Sequence, residues 1–429
     1  MKVIISNTVA LNGGDAAILQ AIVDALSDEL GKDTRFTVFD SQPETARRYY
    51  PDFDFQKLLY LKVARSPSGL GPIVRPLQMR RFETAAKLWG RGQKSAAKLL
   101  LSRAEVEALQ TYAEADLIIS TGGTYLVENY DIEPRLFDYR IALALGRPLV
   151  FYTQSLGPFR EPQNQQRVRD IFNQASLVLL RDARSKHHLL EIGVSPDNLH
   201  VCADAVFALD VGPKPATPAR EGADTISDTT DNTRRPKVAV SVRHWSHFEN
   251  LSTDEGMKRY CDAIAAGVTH LVEHHQADVT FISTCQGIPE YWTHDSKTAH
   301  AIVDTLPDAV RKHVNVDDAF HPPQDLVKTL AAFDAVIATR MHMAILALIA
   351  GTAVLPVSYE FKTTELFERM GAGQWVEDIN TIDADAFVQK IDALLADLPG
   401  VKALLAKGVA EQREIALEGA RKVKKLVAS

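Results

Sequence analysis

The sequence predicts an α/β protein of two Rossmann-like domains, and three observations predict it. Short apolar, β-rich runs alternate with helical stretches, which is the texture of parallel sheets built from βαβ units. The alternation stops at a polar stretch near the middle of the chain and then restarts, so two sheets are expected rather than one. A length of 429 residues with 46% hydrophobic and 24% charged content supplies enough apolar surface for two cores.

The first domain is expected over residues 1–210, with strands at 3–6, 116–120, 148–153 and 177–181. A helical or loop-like segment at about 55–104 interrupts it and is strongly basic. There Lys57, Lys62, Arg65, Arg75, Arg80, Arg81, Lys87, Arg91, Lys94, Lys98 and Arg103 face the single acid Glu83. Residues 211–236 hold Pro, Thr, Asp and Gly with almost nothing to bury, and read as a linker or mobile insertion. The second domain is expected over 237–400, with strands at 237–243, 278–284, 334–339 and 353–359 and a helix near 254–275. The remaining stretch, 401–429, is helical in pattern. By analogy with other two-domain folds, it is expected to cross back to the first domain.

Composition excludes several classes. A net charge of -7 argues against a nucleic-acid partner, which demands a broad basic footprint. No apolar run approaches the roughly 20 residues of a spanning helix. The amino end reaches a Gly-Gly-Asp turn before a signal-peptide core can form, so the cytoplasm is the expected address. Cys202, Cys261 and Cys285 are scattered and lack CxxC spacing, which fits buried free thiols rather than disulfides or zinc. No ligand cluster asks for a metal, and no cofactor is expected. The basic segment reads either as a solvated helical face or as a surface for anionic lipid head groups or a lipid-linked acceptor at the inner face of a membrane.

In open parallel sheets, ligands collect where strands turn into helices whose amino ends present N–H groups. The first such loop is Asn12-Gly13-Gly14-Asp15, with Asp15 typed as a helix N-cap. The next is Gly122-Gly123, where missing side chains would let a ligand approach the main chain, and then Gln154 to Pro158, whose polar groups could orient a sugar. In the second domain, two strands end directly on arginines. One is Arg243, followed by His244 and Trp245; the other is Arg340, followed by His342 and a buried helix closed by Gly351. A guanidinium there asks for an anion, either a ligand carboxylate or phosphate or a structural acid such as Asp204 or Asp334. His342, at a helix start beside an arginine, is placed to exchange a proton.

These residues carry a resemblance. Asn12 to Asp15 with Ile18 and Leu19, Gly122-Gly123, residues 181–193, Asp204 with Val206 and Phe207, Arg243, and above all residues 339–371 resemble the successive motifs of the polysaccharide pyruvyl transferase family. In the last block Arg-x-His, a small-residue helix, a Pro-Val strand, Tyr359 and Lys362 follow in one order. The resemblance implies a GT-B-like fold with the two domains facing across a cleft, phosphoenolpyruvate as donor and a sugar hydroxyl pair as acceptor, joined as a cyclic pyruvate ketal. It implies donor contacts for Arg243, Arg340 and His342, with Tyr359 and Lys362 beside them. His342 is the expected acid, and Asp15, Asp204 or His244 the base. Asn12, Gly13, Gly122, Gly123, Gln154 and Asp204 would line the acceptor side. Arg243 and Arg340 are expected to converge on one anion site.

Two rival readings follow from the same residues. Glu360 and Glu368 have the Glu-x7-Glu spacing of many nucleotide-sugar glycosyltransferases, although they follow the 350–354 block instead of preceding it. A non-catalytic sugar-binding protein on the same scaffold is the other, and retention of both arginines and the histidine argues against it.

Overall fold

The structure is a computed structural model that describes residues 1–64, 71–212 and 234–428. Arg65 of the basic segment and residues 213–233 of the expected linker lie outside the described residues. The chain forms two compact units: Met1–Leu11, Ile18–Leu209 and Gln412–Ser429 in one, Asn12–Ala17 and Asp210–Glu411 in the other.

The first unit contains strands β1 (Lys2–Thr8), β2 (Arg35–Asp40), β3 (Asp54–Lys57), β4 (Leu117–Ser120), β5 (Gly123–Leu126), β6 (Leu149–Leu156), β7 (Leu177–Leu180) and β8 (Leu199–Val201). They pair in the order β3-β2-β1-β4-β6-β7-β8, with β5 beside β6, and every pairing is parallel. All eight positions of β6 are buried. Helices cover both faces of such a strand, so it reads as an unbroken apolar run rather than an alternating one.

The second unit contains β9 (Lys237–Ser241), β10 (Asp278–Phe281), β11 (Val314–Val316), β12 (Ala335–Ala338), β13 (Ala353–Ser358) and β14 (Glu377–Asp378), ordered β11-β10-β9-β12-β13-β14 and again all parallel. This is the doubly wound 3-2-1-4-5-6 order. The two α/β units with parallel sheets agree with the fold class expected from the alternation. The helix Thr253–Glu273 opens with a reciprocal capping box between Ser252 and Glu255. The last helix, Leu398–Ala428, gives its residues from Gln412 onward to the first unit and the earlier ones to the second.

Where β4 ends in the first unit, the strands on either side of it depart from regular geometry. Asn7 of β1 and Thr153 of β6 both have left-handed backbone, φ 66° and 55°. Pairing slips beside each of them, between Ile5 and Thr8 and between Phe151 and Gln154. Both side chains are buried, and Asn7 Oδ1 and Thr153 Oγ1 meet no hydrogen-bond donor among the described residues. Gly122 sits between these two irregular strands. A methyl group on it would lie 2.5 Å from Thr153 Oγ1 and 2.9 Å from the Tyr152 and Thr153 carbonyl oxygens.

The basic insertion is mostly helical, with helices Leu59–Val63, Gly71–Gly90 and Lys94–Leu99. Met79, Phe82, Ala86 and Trp89, three or four residues apart, turn one stripe of the long helix into the core. Among the cysteines, Cys202 and Cys285 are buried as expected, while Cys261 is only half-buried.

Asp138 lies in the first unit on helix Glu133–Ala144, buried, and its carboxylate faces the Tyr112 hydroxyl at 3.5 Å. Burial raises its pKa to about 7, against the pull of Arg135 and Arg140. A carboxyl whose folded pKa lies above its unfolded one binds more protons in the native state, so its ionisation costs stability as pH rises from near 4 toward 7. Asp138→Asn should therefore gain melting temperature relative to the unaltered chain as pH goes from 5 to 8. A difference that stays constant across that window in thermal unfolding would mean that the carboxyl is ionised throughout.

Candidate active site

The order of the second sheet reverses between β9 and β12, the switch point where doubly wound sheets bind ligands. Ser241 pairs with Ala338, so Arg243 and Arg340 each follow two residues beyond that last matched pair. The two arginines leave the same end of neighbouring strands, yet their surroundings differ.

Arg340 is buried and already holds a carboxylate. Its Nε donates to Asp295 Oδ2 at 2.5 Å and its Nη2 to Asp295 Oδ1 at 2.7 Å. Ser283, just past β10, also donates to Asp295 Oδ2 at 2.5 Å, and Ser241 donates to Ser283 Oγ at 3.2 Å. Burial works against the charge of Arg340, and the neighbouring Cys285 and Asp295 groups hold it protonated. The acid that holds Arg340 is therefore Asp295, and neither Asp204 nor Asp334, the two weighed from the sequence. Asp334 instead binds Arg234 at 2.7 Å, and Asp204 binds Arg181 at 2.6 Å.

Arg243 is half-buried and stacked. Its guanidinium carbon lies 4.2 Å from the Tyr359 ring centre and 5.0 Å from that of Trp245, and Nε donates to the His244 carbonyl at 3.2 Å. No carboxylate pairs with it among the described residues. Burial pushes the Tyr359 hydroxyl up, and both Arg243 and Arg340 pull it back down, so this tyrosine feels both guanidinium groups.

His342 stands in the first turn of helix Met341–Ala350, which ends on left-handed Gly351, φ 82°. Its Nε2 is shielded from solvent. Its Nδ1 lies where a methyl group on Gly14 would come within 2.3 Å, and a methyl on Gly13 would meet the Thr284 carbonyl oxygen at 2.0 Å. The two glycines are thus needed for close approach, since both lie within helix Gly13–Leu30. That changes the reading of Asp15, which falls inside the first turn. Asn12 takes the capping role, with Oδ1 accepting from Gly14 N–H at 3.0 Å. Asn12 also reaches Tyr291 Oη at 3.4 Å and the Cys285 thiol at 3.6 Å. Lys362 pairs with Glu360 at 2.6 Å, and His244 is exposed.

The remaining candidates belong to the first unit. Gly122 and Gly123 are buried against β6 rather than open to an approaching molecule. Gln154 is buried too, its amide donating to the carbonyls of Gly123 at 2.8 Å and Ser155 at 3.0 Å. Asp204 is committed to Arg181, which also donates to Ser155 Oγ at 2.7 Å and Thr124 Oγ1 at 2.9 Å. The structure thus groups Asn12, Gly13, Asp15, Arg243, Arg340, His342, Tyr359 and Lys362 in one unit and Gly122, Gly123, Gln154 and Asp204 in the other.

Glu360 and Glu368 stand at opposite ends of helix Phe361–Arg369, about 12 Å apart at 1.5 Å per residue. Sequence reasoning missed Asp295, and the only trace of it was an acid at a helix start. It also missed the convergence of His270 and His275 on Asp392 Oδ1, at 2.7 and 2.6 Å, far along the chain from the arginines.

Asp295→Ala would leave Arg340 charged, buried and without its carboxylate, at a cost of about 3–5 kcal/mol. Urea unfolding should show that loss, and Asp295→Leu combined with Arg340→Met should recover much of it. A single variant within about 0.5 kcal/mol of the parent would mean that water reaches the guanidinium.

The sequence profile described as polysaccharide pyruvyl transferase matches residues 12–360. The amylovoran biosynthesis protein AmsJ of Erwinia amylovora is 23% identical over 420 residues, covering 96% of each chain. Among solved structures, HepE of Anabaena in complex with UDP and glucose aligns over 100% of this chain and 99% of its own, with TM-score 0.57 and 14% identity. The UDP-GlcNAc 2-epimerase of Neisseria meningitidis bound to UDP-GlcNAc aligns over 98% and 100%, with TM-score 0.55 and 12% identity. At these identities the solved structures establish a GT-B-like fold and nothing finer.

Proposed function

The chain belongs to the polysaccharide pyruvyl transferase family, and from that premise we propose that it moves the pyruvyl unit of phosphoenolpyruvate onto a hydroxyl pair of a sugar in an exopolysaccharide or its precursor. The observation that carries this reading is Arg243. It is an arginine at a sheet switch point, backed by two aromatic rings and not paired with any carboxylate among the described residues. Aromatic backing fixes the plane of a guanidinium and leaves its N–H edge to meet a carboxylate or phosphate in paired hydrogen bonds. The amino end of helix Met341–Ala350 adds N–H groups and a favourable dipole for the donor's second anionic group. Arg340, held by Asp295, fixes the strand ends beneath this site and does not offer a free fork.

The reaction follows from these groups. His342 delivers a proton to the methylene carbon of phosphoenolpyruvate, and the adjacent carbon becomes oxocarbenium-like. One sugar hydroxyl attacks that carbon and gives up its proton. The carbon–oxygen bond to phosphate breaks, and the second hydroxyl closes the cyclic ketal, losing its own proton. Asp15 and His244 are the bases that remain, because Asp204 is bound to Arg181 in the other unit. The protein needs no metal or organic cofactor for these steps. The likeness to HepE solved with UDP and glucose favours a second reading, glycosyl transfer from a UDP-sugar, on the same fold.

Mass spectrometry separates the two. Incubation with phosphoenolpyruvate and a panel of glycosides should add the mass of pyruvic acid less water and release phosphate. Transfer of a hexose from a UDP-sugar, with no change from phosphoenolpyruvate, would overturn the proposal. Arg243→Lys keeps the charge but loses the fork, and should raise KM for phosphoenolpyruvate by roughly tenfold or more, about the worth of one charge-assisted hydrogen bond. His342→Gln should keep most donor affinity in titration calorimetry while turnover falls by on the order of 10²-fold. A parallel loss of affinity would make it an anchor for phosphate, and a fully active variant would end both roles.

A further inference from the structure

The outward face of the long basic helix has no use in the chemistry above. Helix Gly71–Gly90 buries Met79, Phe82, Ala86 and Trp89 on one side. On the other, Ile73, Leu77, Arg80, Thr84 and Lys87 follow at spacings of three and four residues and are all exposed. The two apolar members stand far out of the protein, Ile73 at 67% and Leu77 at 61% exposure. Arg91, Lys94 and Lys98 continue the basic surface past the helix end, next to Leu99 at 88% exposure.

The charge of this face is one-sided for a structural reason. Glu83, the single acid of the segment, is turned into the unit, where Arg140 Nε donates to it at 2.8 Å. Arg81 is likewise spent on Glu105. What remains outside is cationic, with aliphatic side chains at one end. A solvated helix face has no reason to expose two large aliphatic residues a turn apart. A protein-binding groove would be concave and mixed in charge. Exposed aliphatic groups flanked by lysine and arginine fit a bilayer interface, where the apolar groups enter the acyl boundary and the cations meet anionic head groups.

We propose that this face, built around Ile73, Leu77, Arg80 and Lys87, docks the protein on a membrane surface rich in anionic phospholipid. Docking of this kind is peripheral, and among the described residues no helix is long and apolar enough to cross a membrane. It would hold the enzyme where a lipid-linked sugar is presented, but it does not depend on the pyruvyl-transfer reading. Its test needs no turnover.

The full chain would be sedimented with vesicles of phosphatidylglycerol and phosphatidylcholine, and separately with phosphatidylcholine alone. Binding should favour the anionic vesicles and disappear when salt is raised to on the order of 0.5 M. Arg80→Glu with Lys87→Glu should weaken it by tenfold or more, since each cation near such a surface contributes about a kcal/mol. Ile73→Ser with Leu77→Ser should weaken it while leaving the salt dependence. In otherwise unaltered protein, emission from Leu77→Trp should shift to the blue on adding anionic vesicles, and melting curves would confirm that each variant is folded. Equal binding to neutral vesicles, no binding to anionic ones, or folded variants that bind like the parent would overturn the proposal. So would soluble polyglutamate binding as tightly as the vesicles and without regard to Ile73 and Leu77, which would assign the face to an acidic protein.

Discussion

Arg340 leaves β12 into an interior nearly closed to water, and its charge is tolerable there because Asp295 meets it with both carboxylate oxygens. The pair does more than cancel charge. Asp295 also accepts from Ser283, which accepts from Ser241, so the ends of β9, β10 and β12 are tied to the start of helix Asp295–Val303. Everything placed beyond those ends depends on that tie: the stacked Arg243, the His342 turn and the tyrosine that senses both arginines. Two arginines that look equivalent as residue types thus divide their work. One fixes the scaffold with its whole fork, and the other keeps its fork for a ligand.

The first unit uses the same device at a different strand. Arg181, just after β7, binds Asp204, Ser155 and Thr124, while Asp182 accepts from Ser155 and caps helix Ala183–Glu191. The stretch from Arg181 to Asp204 carries part of the family resemblance, and here its polar residues bond one another across the ends of β6, β7 and β8. Residues shared with a family for structural reasons and residues shared for chemistry look alike in a sequence. They separate only when the partner of each charge is known.

That distinction marks how far the sequence could be read. Strands such as β1, β6, β9 and β13 are long and apolar, so periodicity and composition were enough to place them. β8, β11 and β14 have three residues or fewer, and their identity lies in the neighbour they pair with rather than in their own residues. Arg243, Arg340 and His342 were legible because a strand end followed by a charged residue is a local pattern. Asp295 was not, since it lies 45 residues before its partner and only the fold brings the two together. Gly122 was legible as a place where a side chain is missing, and the room it leaves is taken by β6; Gly13 and Gly14 leave room in the same way for Thr284 and His342.

Neither compact unit is a single uninterrupted stretch of chain. The second borrows Asn12–Ala17 from the amino end, and the first reclaims the chain from Gln412, so the polypeptide passes from one unit to the other four times. A gene fragment cut anywhere inside residues 12–411 therefore encodes an incomplete version of both. Ribosomal synthesis finishes the first unit only with its last residues, long after that unit's strands have been made. The chain is two units in architecture and one in heredity: recombination could not exchange either half as a cassette, and each half has had to change in the company of the other.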